Sequence, residues 1–110
     1  MKFLIENNAQ VDIKIAINWL AKKIPADSAK TKIFEIINDV KNQLIVHPDS
    51  GTKCQFDFSD KYREIIKNDY RTIYKIDSVK GEITIILFCH TRMNFQALLS
   101  QSNIYSKSNL

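Results

Sequence analysis

Apolar residues in the first half of the chain recur at spacings of three and four, which is the pattern of amphipathic helices. The spacing predicts a first helix over residues 9–23 and a second whose apolar stripe runs from Ala29 to Leu44, after a short strand over residues 2–6. The link of residues 24–26 is short, so we expect an antiparallel helical hairpin. The first apolar stripe consists of Ile13, Ala16, Ile17, Leu20 and Ile24, with Trp19 beside it.

Short polar residues precede both helices and are candidates for their N-caps. Asn7 or Asn8 stands before the first helix, and Asp27 or Ser28 stands before the second. Such side chains accept hydrogen bonds from the unpaired amides of the first turn. Trp19 is expected to belong to the core, although a platform for a ligand is the alternative interpretation.

The pattern changes from helices to strands after the turn at residues 47–51, His-Pro-Asp-Ser-Gly. Proline after a helix, followed by aspartate, serine and glycine, is typical of a helix stop and a turn. Asn68-Asp69 is a two-residue sequence of the kind that joins hairpin strands. The run from Ile85 to Cys89 has no polar break, which is typical of a central strand. The predicted strands cover residues 62–67, 70–76 and 82–90.

The predicted order of elements is β-α-α-β-β-β, which indicates an α+β fold. The N-terminal strand joins a mainly antiparallel sheet of about four strands, and the helical hairpin packs on one face. The other face must then be exposed, or covered by the C-terminal tail or by a partner. A single domain is predicted over residues 1–98, with a last helical turn near residues 95–100. Residues 99–110 are polar and are expected to form a flexible tail.

Composition narrows the classes of function. The chain has 110 residues, of which 45% are apolar, and two glycines and two prolines, so one compact domain is expected. No apolar run approaches the ~20 residues that span a bilayer. The N-terminal apolar run reaches a charged residue after three residues, which is too short for the core of a signal peptide. Cys54 and Cys89 form neither a disulfide framework nor a zinc motif, so a reduced, cytoplasmic protein without a metal or other cofactor is predicted.

Positive charge is concentrated in the second half. Of the net charge of +4, residues 61–92 supply +3, from seven basic and four acidic side chains, and all three arginines lie there. This distribution suggests an acidic or polyanionic partner. A lysine-rich surface without a specific partner is the alternative explanation.

Four short motifs occur in a specific order: Pro48-Asp49-Ser50-Gly51, Tyr62-Arg63, the strand 70–74 (Tyr-Arg-Thr-Ile-Tyr) and His90-Thr91-Arg92. In this order and spacing the chain resembles the RelE/ParE superfamily of toxins from type II toxin–antitoxin systems, across roughly residues 2–98. The resemblance implies the strand, helical hairpin and antiparallel meander predicted above.

The resemblance implies one of two activities. RelE-like members are ribosome-dependent mRNA endonucleases, whereas ParE-like members poison DNA gyrase and have no known hydrolytic chemistry. The ending Thr91-Arg92-Met93-Asn94 resembles the Thr-Arg-Gln-Asn-Pro ending of ParE-like plasmid-stabilisation proteins. Phe95 stands where RelE-like members often place a catalytic tyrosine. Both features favour the ParE-like branch. The nuclease, and a family member that only binds an antitoxin or another protein, remain alternatives.

The candidate site residues are Arg92, Arg71, Arg63 and Lys61 for contacts with a target or phosphate. If the chain is RelE-like, Arg71, Arg92 and His90 are the catalytic candidates, because RNA cleavage needs an acid, a base and positive charge. Arg71 and His90 each also have a structural alternative. Arg71 could form an ion pair within the sheet, and His90 could be a sheet-edge histidine whose hydrogen bonds are satisfied by its own chain. Tyrosines 62, 70 and 74 are expected to pack in the hairpin rather than to stack on bases.

Alternation along strands gives one geometric expectation. Ile86, Phe88 and His90 are predicted to share a sheet face, with Arg92 joining them if the strand continues. An arginine pair at Arg71 and Arg92 would suit a phosphate or carboxylate.

The partners that the resemblance implies are a cognate antitoxin with an acidic, partly disordered segment and either DNA gyrase or the ribosome with mRNA. No membrane partner is expected. An antitoxin segment that orders on binding must bury apolar surface and pair charges, which a basic half and an uncovered sheet face would allow. Exposed apolar surface would also favour a homodimer, or a hetero-oligomer with the antitoxin.

Overall fold

The computed structural model describes residues 1–54 and 61–93. It is an α+β fold in which two helices pack on one face of a sheet with the strand order β1-β5-β4-β3-β2. Strand β1 runs parallel to β5, and the other neighbouring pairs are antiparallel. The elements are β1 Lys2–Ile5, α1 Asn7–Leu20, α2 Ala26–Val46, β2 Thr52–Lys53, β3 Tyr62–Lys67, β4 Tyr70–Asp77 and β5 Glu82–His90.

The predicted fold class is confirmed, and the number of strands differs by one. The additional strand is β2, which pairs with β3 through only two residues, Thr52 opposite Glu64 and Lys53 opposite Arg63. Two residues carry no detectable alternation of apolar and polar positions, so the pattern could not reveal this strand. The predicted tail of residues 99–110, and the helical turn expected near residues 95–100, lie outside the described residues.

Both helices begin without the predicted side-chain caps. The N-cap of α1 is Glu6 and that of α2 is Pro25, and neither makes a capping hydrogen bond through its side chain. Asn7 is already helical, and Asp27 lies in the first turn of α2, where a negative charge favours the helix dipole. Helix α1 ends at Leu20 rather than residue 23, and a tight turn leads to α2.

The β3–β4 connection is the predicted two-residue turn. Asn68 and Asp69 both have positive φ, at 52° and 68°. Two successive left-handed residues make the mirror-image turn whose twist matches that of hairpin strands, and asparagine and aspartate tolerate this conformation better than most residues. The turn fixes the register in which Lys67 pairs with Tyr70.

A β-bulge in β5 changes which residues share a sheet face. The register between β4 and β5 shifts so that Ile73 pairs with Leu87 while Tyr74 pairs with Ile85, which leaves Ile86 as the extra residue. Such a residue interrupts the alternation of side chains. Ile86 and Leu87 both pack in one cluster on the face away from the helices. The prediction that Ile86 shares a face with Phe88 and His90 is therefore wrong.

The core on the helix side consists of two clusters that join α1 and α2 to the sheet. One lies around Phe88 and Tyr70, whose rings stack with centroids 5.4 Å apart. The other lies around Tyr74 and Leu44, both 0% exposed. The members of the first cluster are Ile13, Ala16, Leu20, Ala29, Ile33, Ile36, Tyr70 and Phe88.

The opposite face of the sheet also has a buried centre. Ile73, Leu87 and Cys89 are each 0% exposed there, so this part of the face is not open to solvent. Cys54 and Met93 pack against the same cluster from the segments that follow β2 and β5. Both cysteines are free thiols.

The described residues contain no helix that is both long and apolar enough to cross a membrane. Within residues 1–54 and 61–93, no three histidine, cysteine, aspartate or glutamate side chains are grouped in a way that could hold a metal ion.

Candidate functional site

His90 lies at the end of the sheet where β5 meets the β3–β4 turn and the C-terminal end of α1. Its ring is 4.5 Å from that of Trp19 and 4.8 Å from that of Tyr70, centroid to centroid, and the contact with Tyr70 is edge-on. Trp19 is half-buried and belongs to none of the core clusters. The imidazole therefore links the exposed surface of α1 to the buried aromatic pair of Tyr70 and Phe88.

His90 also holds the turn that follows β5. Its Nδ1 accepts a hydrogen bond of 3.0 Å from the backbone amide of Arg92, and its carbonyl accepts one of 3.0 Å from the amide of Met93. The amide of Thr91 donates to the carbonyl of Asp69 at 2.8 Å, which ties this turn to the β3–β4 turn. Arg92 is therefore presented on a fixed backbone.

The imidazole of His90 is favoured in its neutral form. Burial lowers the pKa of His90, Asp69 acts in the opposite direction, and the cations of Arg92, Lys23 and Lys32 lower it further. A neutral ring can offer Nδ1 as an acceptor, which the hydrogen bond from the Arg92 amide requires. The electrostatics and the geometry of His90 therefore agree.

Three exposed cations lower the pKa of His90, and we call them together with Trp19 and His90 the basic patch. Lys23 follows α1, Lys32 lies in α2 and Arg92 follows β5. The Lys23 Nζ lies 4.4 Å from the Trp19 ring centroid, which is a cation–π contact. Each cation comes from a different part of the chain.

Arg71 lies on the other face of the sheet from His90. It pairs with Cys89 across β4 and β5, and its Nε is 3.8 Å from the Glu64 carboxylate. This is the ion pair that the sequence offered as the structural alternative. Burial raises the pKa of Cys89 to about 11, so this neighbour is a thiol rather than a reactive thiolate.

Arg63 and Tyr74 hold the Pro-x-x-Gly turn. The Arg63 Nη1 donates to the carbonyl of Gly51 at 3.0 Å. The Tyr74 hydroxyl accepts from the Gly51 amide at 2.9 Å and donates to the Pro48 carbonyl at 2.9 Å. The guanidinium thus contacts the backbone of its own chain. Its role as a contact for a target stays a prediction.

Lys61 lies just before β3, two residues before Arg63. Its Nζ is 5.5 Å from the centroid of the Tyr62 ring, and its side chain is exposed. Of the five predicted site residues, the structure brings His90 and Arg92 together and places Arg71 on the opposite face of the sheet. Arg63 lies in β3 opposite Lys53 of β2, and Lys61 directly precedes β3.

Asp12 is a buried polar residue that the sequence analysis did not identify. It is 8% exposed, and its Oδ2 accepts a 3.2 Å hydrogen bond from the amide of Phe88. Strand β1 pairs with β5 only as far as Ile85, so the Phe88 amide lies beyond the end of that pairing. A signal was present, because Asp12 lies three residues after Ala9 and four before Ala16 on the buried side of α1.

Chemically, the arrangement supplies positive charge rather than an acid–base pair. Arg71 and His90 lie on opposite faces, and the Nδ1 of His90 is occupied by a backbone amide. Phosphodiester cleavage needs a base and an acid on either side of one phosphate. Within the described part of the chain, the predicted catalytic set does not converge on one point, whereas Arg92, Lys23 and Lys32 act on the same imidazole.

Comparison with known families identifies the chain. Residues 3–95 match the model of the ParE toxin of type II toxin–antitoxin systems, parDE. The chain belongs to this ParE toxin family. The predicted RelE/ParE resemblance is thereby confirmed, and so is the class of protein, a toxin of a type II toxin–antitoxin system. Compared with curated protein sequences, the chain shows no significant match.

Solved structures share the fold of this ParE family member. The chromosomal ParDE toxin–antitoxin system of P. aeruginosa superposes with a TM-score of 0.68 at 14% identity, covering 82% of this chain and 95% of that one. The RelBE2 toxin–antitoxin complex of Mycobacterium tuberculosis superposes with a TM-score of 0.53 at 15% identity, covering 81% and 95%. At such low identity these likenesses show the fold, and the fold is common to both branches of the superfamily.

Proposed function

We propose that this ParE family member is a ParE-like toxin that inhibits DNA gyrase in the cytoplasm and is neutralised by a cognate antitoxin. The observation that carries the proposal is the geometry at the end of β5. Arg92 is exposed on a turn fixed by His90, while Arg71 lies on the other face of the sheet. This arrangement suits binding through a presented cation better than phosphodiester hydrolysis.

Arg92 is suited to be the main contact with the target. A guanidinium forms paired hydrogen bonds with a carboxylate or a phosphate and stays charged at every physiological pH. Its backbone is held by the hydrogen bond to His90 and by the bond from Thr91 to Asp69. A target that binds here therefore orders little more than the arginine side chain, which keeps the entropic cost of binding low.

An antitoxin partner is supported by the comparisons and by the surface of the helices. The P. aeruginosa and M. tuberculosis structures are both described as toxin–antitoxin systems. Large apolar side chains are exposed on the helices of this chain, among them Val11 at 53%, Phe34 at 48% and Val46 at 68%. A partner that covered them would gain hydrophobic stabilisation. Without it, a homodimer could bury the same surface.

A ribosome-dependent mRNA endonuclease is the second candidate. It is favoured by one observation, the neutral imidazole of His90 beside the cation of Arg92. The ring could act as a base only after its Nδ1 released the Arg92 amide, and Arg92 would then be placed to stabilise a phosphorane. A third candidate is a family member that only binds an antitoxin or another protein.

Supercoiling by purified DNA gyrase tests the proposal directly. The protein should inhibit the reaction, and Arg92→Ala should raise the concentration for half inhibition roughly tenfold or more, as expected for an arginine that anchors an interface. Lys80→Ala is the matched control, because Lys80 is exposed in the turn between β4 and β5, at the opposite end of the sheet. It removes the same charge and should leave inhibition unchanged.

Induction of the protein alone separates the three candidates in cells. Filamentation with a DNA-damage response and intact mRNA supports gyrase inhibition. Translation arrest with mRNA cut on ribosomes establishes the nuclease instead. Normal growth with confirmed soluble expression, together with unaffected gyrase in vitro, would support the third candidate, a family member that only binds a partner.

A further inference from the structure

Strand β1 is one outer edge of the sheet, and half of its backbone groups face away from β5. The amides of Lys2 and Glu6 donate, at 2.8 and 3.0 Å, to backbone carbonyls of the segment that contains β5. Successive residues of a strand direct their amides and carbonyls to opposite sides, so those of Phe3 and Ile5 point to the outer edge. Such an edge is a template on which another strand can pair.

The outward groups of β1 are largely unused within the described part of the chain. The Ile5 carbonyl accepts a 3.0 Å hydrogen bond from the Gln10 side chain, whereas the Phe3 and Ile5 amides have no acceptor among residues 1–54 and 61–93. Natural proteins protect edge strands with proline, with bulges or with charged residues in the strand. Strand β1 has neither proline nor a bulge, and its one lysine, Lys2, lies at its end.

The pattern of β1 is complementary to itself in one antiparallel register. Hydrogen-bonded pairs need outward backbone groups on both strands, which here belong to Phe3 and Ile5. When Phe3 pairs with Ile5 of a second copy, and Ile5 with its Phe3, each pair exchanges two hydrogen bonds, and Leu4 faces Leu4. The same register places Lys2 opposite Glu6 of the second copy. Opposite charges that face each other across two strands are stabilising, whereas like charges are destabilising.

Other registers lose this match. A shift of two residues in one direction would set Phe3 opposite Phe3 and Lys2 opposite the apolar Leu4. The same shift in the other direction would set Ile5 opposite Ile5 and Phe3 opposite Asn7, which is already helical. A shift of one residue would exchange the two faces of the added strand and bring together backbone groups that do not point at each other.

The side chains of β1 also suit a second strand beside it. Phe3 and Ile5 are half-buried on the helix side of the sheet, and Leu4 between them is half-buried as well. A second β1 would cover more of all three, which adds hydrophobic stabilisation. Glu6 already lies 3.9 Å from Lys75, and a carboxylate can accept hydrogen bonds from two cations.

We propose that the protein forms a two-fold symmetric dimer in which the β1 strands of two copies pair antiparallel and join two five-stranded sheets. Strand β1 runs parallel to β5, so the two β5 strands of the dimer point in opposite directions. His90 lies five residues beyond Ile85, the last residue paired with β1, which is about 17 Å along the strand. The dimer therefore leaves both basic patches open, at opposite ends of the joined sheet, and it does not depend on what Arg92 binds.

Disulfide trapping with Leu4→Cys tests the register. Leu4 would face Leu4 of the second copy in a pair without hydrogen bonds, with Cα atoms about 4.5 Å apart, which a disulfide can bridge. Oxidised glutathione should therefore convert this variant into a covalent dimer. Lys2→Cys is the matched control: Lys2 is more exposed than Leu4, but the two Lys2 residues would lie about 14 Å apart. It should cross-link roughly tenfold more slowly or less. Cys54 and Cys89 are 0% exposed and should not react.

Sedimentation equilibrium of the full chain measures the dimer itself. Lys2→Glu should raise the dissociation constant roughly tenfold or more, because both contacts between Lys2 and Glu6 become repulsive. Lys14→Glu, on the exposed side of α1, changes the net charge equally and should alter the constant less than about twofold. Lys2 also faces Glu82 in its own sheet. The double variant Lys2→Glu with Glu82→Lys restores that pair and should dimerise as weakly as Lys2→Glu alone.

Four outcomes would overturn the proposal. One is a chain that stays monomeric up to about 1 mM. Another is equal cross-linking of Leu4→Cys and Lys2→Cys, which would indicate random collision. A double variant that regains the dimer would show that Lys2→Glu acts only within its own sheet. A dimer that dissociates in Phe34→Ser but persists in Lys2→Glu would form through the helices instead, where Phe34 is 48% exposed.

Discussion

Replacing Asp12 with asparagine is expected to stabilise the protein at neutral pH. The Asp12 carboxylate is 8% exposed and lies between α1 and β5, where it accepts a hydrogen bond from the Phe88 amide. Burial raises its pKa from 3.8 to about 6, and the hydrogen bond from Phe88 acts in the opposite direction with a smaller effect. At pH 7 the protein therefore contains a buried charge that the fold disfavours.

The magnitude follows from the difference in pKa between the folded and unfolded states. A shift from 3.8 to about 6, at 1.36 kcal/mol per unit, corresponds to on the order of 3 kcal/mol. The folded state binds the proton more tightly, so Asp12 makes the free energy of unfolding fall as the pH rises from about 4 to about 6. Below this pH window Asp12 does not reduce the free energy of unfolding, and above it the reduction is complete.

Asparagine keeps an oxygen that can accept the Phe88 hydrogen bond and removes the charge. Its NH₂ group needs a partner, and leaving it unpaired costs about 1–3 kcal/mol, so the net gain at pH 7 is expected to be on the order of 1 kcal/mol. Lowering the pH should therefore stabilise the original protein relative to Asp12→Asn.

Urea unfolding of both proteins at about pH 4.5 and about pH 7.5 measures this effect, because groups that titrate in both proteins cancel in the difference. The difference in free energy of unfolding should change in favour of Asp12→Asn as the pH rises. A difference that does not depend on pH would refute the raised pKa. A large loss of stability in Asp12→Asn at pH 7.5 would show instead that the charged hydrogen bond to Phe88 outweighs the cost of burial.

Three further substitutions and one exposed control test the packing, each by urea unfolding. Tyr74→Phe removes both hydrogen bonds to the Pro-x-x-Gly turn and should cost about 1–3 kcal/mol; an unchanged value would mean that the turn is held without them. Gly51→Ala should cost a similar ~1–3 kcal/mol, because its Cβ would lie 2.5 Å from the Tyr74 hydroxyl. Leu87→Ala, at 0% exposure, should cost ~2–5 kcal/mol, whereas Val79→Ala, at 98%, should change stability by less than ~0.5 kcal/mol. Equal effects would refute the assignment of Leu87 to the core.

Local sequence signals predicted the elements that local physics determines. The spacing of apolar residues located both helices, and Asn68-Asp69 located the hairpin turn, because its left-handed backbone needs residues of that kind. The sequence also indicated that Ile85 to Cys89 form a central strand. These residues are buried beside β4, and β1 pairs with the other edge of β5 as far as Ile85.

Features that depend on distant parts of the chain were not predictable in this way. The bulge at Ile86 arises from how β5 pairs with β4, and nothing in an unbroken apolar run marks the residue at which alternation stops. Strand β2 consists of the two residues after the Pro-x-x-Gly turn, and it is a strand only through its pairing with β3, which lies further along the chain. The environment of Asp12 depends on the point at which β1 ends beside β5.

The same limit applies to the site. Sequence order placed His90 and Arg92 together, but it could not place Trp19 and Lys23 beside them, since α1 is separated from β5 by most of the chain. The ion pair of Arg71 with Glu64 was anticipated as an alternative. Which face of the sheet carries this ion pair depends on the register of β3, β4 and β5, which the sequence alone did not reveal.

The position of Arg92 is coupled to the core through a continuous series of contacts. Phe88 stacks on Tyr70, the edge of Tyr70 meets His90, and His90 accepts the hydrogen bond from the Arg92 amide. The first two residues of this series are almost fully buried, and the last is exposed. The backbone that carries this cation is held before a partner binds, so binding energy is not lost in ordering the turn. Under the proposed function, this coupling is what lets a small domain whose predicted catalytic residues lie on two faces of its sheet present Arg92 as a charged contact.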